Sequence, residues 1–68
     1  MTVLYVIKWV PRDQDVIIDH TKRYEDATEA LTVARTLLQL HPKKIWIEDE
    51  KGVLHTDHDV ILEYARGG

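Results

Sequence analysis

The hydrophobic period changes twice along this chain, and those changes limit the folds open to it. From Thr2 to Val10, apolar residues fill both alternating sets, Val3, Tyr5, Ile7 and Trp9 on one side and Leu4, Val6 and Val10 on the other, with Lys8 the single charge. Such a density of β-branched and aromatic residues belongs to a strand. Between Glu25 and Leu40 the period becomes helical, since Ala27, Ala30, Leu31, Ala34, Leu37 and Leu38 stand at i, i+3, i+4, i+7, i+10 and i+11. That is one stripe of an α-helix, widened at its margin by Val33 and Leu40. Alternation returns from Lys43 to Glu48, with Ile45 and Ile47 on one side of the strand and Trp46 on the other.

Turn and cap chemistry completes the order of elements. Pro11 to Gln14 reads as a turn, and Asp15 to Thr21 as a second strand pairing back on the first. Asp26 with Glu29 three residues later resembles a capping box, and His41-Pro42 stops the helix. Asp49-Glu50-Lys51-Gly52 is a tight-turn signal before a short strand from Val53 to His55. The expected fold is therefore α+β, a two-layer ββαββ domain with a short C-terminal helix, spanning 1–68 as a single domain. A chain of 68 residues without cysteine has no disulfide or thiolate staple, and at this size folding buries only about 60% of the unfolded chain's surface. A subunit partner could supply further stability.

The segment from Thr56 to Gly68 admits two readings. Thr56 with Asp59 fits a capping box, Asp57 and Asp59 occupy a first turn, Val60, Ile61 and Tyr64 recur on one side, and Gly67 falls at a C-cap. These signals favour a helix. The alternative is a final strand carrying Val60, Leu62 and Tyr64 inward, which leads into Arg66, Gly67 and Gly68. An Arg-Gly-Gly ending resembles that of ubiquitin, and a bare Gly-Gly end is shared by the ubiquitin-like sulfur carriers of β-grasp fold, whose strand, strand, helix, strand order is also similar. The resemblance covers that order and the last three residues. It implies a carrier or modifier whose C-terminal Gly68 is activated, with glycine needed because a narrow enzyme channel leaves no room for a Cβ.

Charge and residue inventory bear on other functions. The net charge is −3, from 12 acidic and 9 basic residues, which disfavours a grip on nucleic acid. No serine or cysteine nucleophile and no glycine-rich phosphate loop occur, and a chain this small rarely encloses a pocket of ~300 Å³ or more, so no enzyme activity and no cofactor are expected. His55 and His58, among Thr56, Asp57 and Asp59, are weak metal candidates, more simply explained as polar residues near a helix start. The N-terminus lacks a basic leader and its apolar run breaks at Lys8, so neither a signal peptide nor a membrane span is expected, and the cytoplasm is the natural setting.

Tryptophan and tyrosine carry the functional expectation. One helix covers one face of a sheet, yet the first strand is apolar on both faces, so something must cover the second. If the C-terminal segment lies beside the first helix, a sheet face bearing Trp9 or Tyr5 together with Trp46 becomes an interface, where such residues are typical anchors. The chain is accordingly expected to be a non-enzymatic protein-interaction module, homodimeric through an apolar sheet face. In a bacterium or phage, an acidic module of this size would suit an adaptor or an inhibitor.

Overall fold

A computed structural model describes residues 3–67, apart from the side chain of Thr21. The expected fold class is the one observed. In chain order come β1 (Tyr5–Val10), β2 (Ile18–Tyr24), α1 (Ala27–Leu37) with a 3-10 turn over Leu38–Leu40, β3 (Lys44–Asp49), β4 (Leu54–Thr56) and α2 (His58–Ala65). The strands form one antiparallel sheet in the order β2-β1-β3-β4. Because β2 and β3 flank β1 and both run against it, they are parallel to each other. The α1 crossover spans β1 to join them.

Alternation decides which side of each strand meets the helices. Ile7, Ile45 and Ile47 are fully buried on one side, together with Tyr24, with Ala30 and Ala34 of α1 and with Ile61 of α2. The two alanines lack bulk, so α1 settles close onto the sheet. Leu31, Val33, Leu37 and Leu38 pack around this centre, whereas Leu40, expected at the margin of the stripe, is exposed beyond the end of α1. Both helices lie on this one side, and Thr32 of α1 meets the Tyr64 hydroxyl of α2 at 3.4 Å.

Several boundaries differ from the sequence expectation, each for a local reason. The second strand begins at Ile18 rather than Asp15, because the register that buries Tyr24 places it opposite Tyr5. Asp15 is instead spent on the connecting loop, where the Lys43 ammonium bonds it and holds its carboxyl below the usual carboxylate range. The Thr2 start expected for the first strand lies outside the described residues. At the head of α1, Asp26 accepts the Thr28 amide at 2.9 Å, a cap made without the reciprocal bond expected from Glu29. His41 then turns left-handed at φ 53° and ends the helical run. Asp49 organises the β3–β4 turn, its Oδ1 accepting the amides of Lys51 and Val53 at 2.9 Å each. Gly52 supplies the positive φ of 85° that this turn requires.

The final segment is a helix, so the final strand of the β-grasp alternative does not form. Its cap is Asp57, whose Oδ1 accepts the Val60 amide at 3.2 Å, and not Thr56, which is buried at the end of β4 opposite Ile47. Tail residue Arg66 has right-handed helical angles, and Gly67 adopts φ 79° just after it. This is the left-handed C-terminal position that glycine favours. Gly68 lies outside the described residues.

Candidate interaction surface

With both helices on one side, no element among the described residues covers the other face of the sheet. Alternation sends Leu4, Val6, Lys8 and Val10 to that face, and pairing brings neighbours to each: Val6 stands opposite Arg23 and Glu48, Lys8 opposite Asp19 and Trp46, and Val10 opposite Lys44. On the far side of β3, Leu54 stands opposite Glu48. The result is an apolar band of Leu4, Val10, Trp46 and Leu54, each at least partly exposed, crossed by a short polar row, with Val6 buried between them.

That row is organised around Glu48. One carboxylate oxygen lies 3.2 Å from Lys8 Nζ, and the other accepts the Trp46 indole N–H at 2.6 Å. Lys8 also approaches Asp19 at 3.9 Å. The Glu48 side chain is 16% exposed, a burial that a carboxylate tolerates only when paired and hydrogen-bonded. The consequence for Trp46 is a fixed ring, tethered at its nitrogen and flanked by the Lys44 ammonium 5.7 Å from the ring centroid. Beside it, Val6, Lys8, Arg23, Glu48 and the turn at Asp49 to Gly52 border a shallow concavity of about 310 Å³.

The three aromatic residues expected to form an interface are not brought together. Trp46 is on the open face, but Tyr5 and Trp9 point to the other side and pack against the core beneath the helices. Trp9 stands opposite Ile18 and Ile45, and the Tyr5 ring meets His55 edge-on at 4.7 Å. The physical reason lies in Ile7, which must join Ile45 and Ile47 in the core and carries its same-parity neighbours with it. What the sequence reading missed was Glu48, which it did not single out among the acidic residues. Its link to Lys8 and Trp46 depends on the β1–β3 register, which the sequence does not announce.

The histidines are engaged separately. His55 Nδ1 lies 2.8 Å from Thr56 Oγ1, while His58 Nδ1 accepts the Ile45 amide at 3.0 Å. His20 sits on β2 at the opposite edge of the sheet from β4, stacked on Tyr24 and 3.1 Å from its hydroxyl. Among the described residues no group of three or more histidine and carboxylate side chains could hold a metal ion. Likewise, no helix among them is long and apolar enough to cross a membrane.

Comparison with known protein families, with curated proteins and with solved structures finds no match for this chain.

Proposed function

We propose that the chain is a small non-enzymatic protein-interaction module, an adaptor or an inhibitor, that presents the open face of its sheet to another protein surface, a second copy included. The observation that carries this reading is the open face itself, an apolar band with a tethered tryptophan at its centre. Trp46 contributes large contact area with little ordering cost, because its ring is already held by Glu48 and flanked by Lys44. Around it, the paired charges Lys8 and Glu48 offer direction without a lone buried charge. The absence of cysteine from the sequence supports a reducing compartment such as the cytoplasm as its place of work.

Site-specific photo-crosslinking in the cell that makes the protein tests the proposal. A photoreactive residue at Leu54, which is 56% exposed on the open face, should capture a defined protein. The same group at Arg35, exposed on α1, should not. Equal capture from both positions, or none from Leu54, overturns the reading.

A further inference from the structure

We propose that the partner of the open face is a second copy of this chain, stacked face to face about a two-fold axis that crosses the strands over Lys8 and Trp46. The inference rests on the reading given above and names its occupant.

The β1–β3 pair decides the arrangement, because its register runs unbroken from Tyr5 opposite Asp49 to Val10 opposite Lys44. Its even residues share the open face and form three rows, Val6 beside Glu48, Lys8 beside Trp46, and Val10 beside Lys44. Stacked sheets lie about 10 Å apart with their strands nearly aligned, and a closed pair of identical faces has a two-fold axis between them. An axis along the middle row reverses the strands of the second copy and exchanges the outer rows. Val6 then faces the second copy's Val10, Glu48 faces its Lys44, Trp46 faces its own counterpart, and the axis repeats each contact.

Shape and charge both favour this exchange. The row of Val6 and Glu48 is recessed, with Val6 buried and the Glu48 side chain 16% exposed, and it borders the shallow concavity of about 310 Å³. The row of Val10 and Lys44 stands free, Val10 half-buried and Lys44 exposed. The projecting row of each copy thus enters the recess of the other. Among the described residues Lys44 makes no ion pair of its own chain, and a carboxylate such as Glu48 has acceptor sites beyond those given to Lys8 and Trp46. Lys8 faces its counterpart, but each ammonium is drawn aside to its own Glu48 at 3.2 Å. An axis along the strands instead sets Glu48 against Val6 and Lys44 against Val10. Moving the axis by half a row, either way, sets Lys8 against a valine. Strand spacings make the face on the order of 15 by 20 Å, the small end of interface sizes, so the dimer is weak, with a Kd of about 10 µM to 1 mM.

Sedimentation and NMR dilution of the purified chain test this. At about 1 mM the wild type should be largely dimeric, and dilution should move the amides of Val6 to Val10 and Lys44 to Glu48 and the Trp46 indole N–H, leaving α1 unmoved. Lys44→Glu turns two attractive contacts repulsive and should weaken the dimer by about tenfold, while Lys44→Arg keeps it. Arg35→Glu makes the same charge change on the exposed side of α1 and should leave the affinity within about twofold, since salt screens so distant a charge. If Lys44→Glu disturbs the Trp46 ring beside it, the wild-type dilution shifts still decide. A wild-type monomer throughout, dilution shifts centred on the helices, or equal weakening by Lys44→Glu and Arg35→Glu overturns the proposal. The photoreactive group at Leu54 separates this from the broader reading. Capture of a second copy supports both, capture of a different protein by a monomeric chain overturns only the self-pairing, and no capture overturns both.

Discussion

Replacing His58 with leucine should destabilise the domain although His58 belongs to no strand. The β4 strand ends at Thr56, opposite Ile47, and continuing that register would set residue 58 opposite residue 45. The chain has turned into α2 by then, so no carbonyl reaches the Ile45 amide. His58 Nδ1 takes it instead, at 3.0 Å, which puts the ring proton on Nε2. Ile45 is 0% exposed, so its N–H has no route to water once the acceptor is gone. An orphaned buried donor costs about 1–3 kcal/mol, and for a domain of this size each kcal/mol lowers Tm by roughly 4–8 °C. Urea unfolding followed by circular dichroism should show a lower midpoint at unchanged slope, with faster hydrogen exchange at the Ile45 amide. His58→Asn, which offers an oxygen near the position of Nδ1, should recover part of the loss. A leucine variant within about 0.5 kcal/mol of the parent, the scatter of ordinary surface changes, would refute the reasoning. Asparagine doing no better than leucine would refute it too.

Other perturbations test other parts of the fold. Ile61→Ala removes the one fully buried residue of α2 and should cost about 2–5 kcal/mol, read as loss of cooperative melting or detachment of α2 by NMR. Burial pushes the Tyr24 phenol above its ordinary value, and the Glu29 carboxylate adds to this. The folded state then holds that proton more tightly than the unfolded chain. The resulting stability is present below the unfolded value near ~10 and is lost as pH rises through the folded one. Melts across alkaline pH should slope downward, and less steeply in Tyr24→Phe. Gly67→Ala meets no atom within 4 Å but must keep φ 79°, so it should cost on the order of 1 kcal/mol or fray the last turn of α2, visible in the chemical shifts of Tyr64 to Arg66.

How legible the molecule was depended on the range of the interactions involved. The α1 stripe could be read because helix geometry repeats within a few residues, and Ala30 and Ala34 mark its closest approach to the sheet. The β3–β4 turn was equally local, carried by Asp49 and Gly52. Cap positions slipped by a residue where two polar side chains competed, as Thr56 and Asp57 did. The strand-end role of His58 depends on where β4 stops, and no pattern within the sequence marks that place.

The sequence by itself determined the order of elements, the helical stripe and the period-2 strands, since each follows from local sterics and hydrophobic spacing. Tertiary structure alone decided which half of β1 meets the helices. Val3, Tyr5, Ile7 and Trp9 compete with Leu4, Val6 and Val10 on nearly equal terms, so alternation could not choose between them. The choice fell to Ile7 because Ile45, Ile47 and Ile61 enclose it with α1 and α2 on one side. Trp46, of opposite parity to its isoleucine neighbours, was thereby left with Lys8 and Glu48 on the open face.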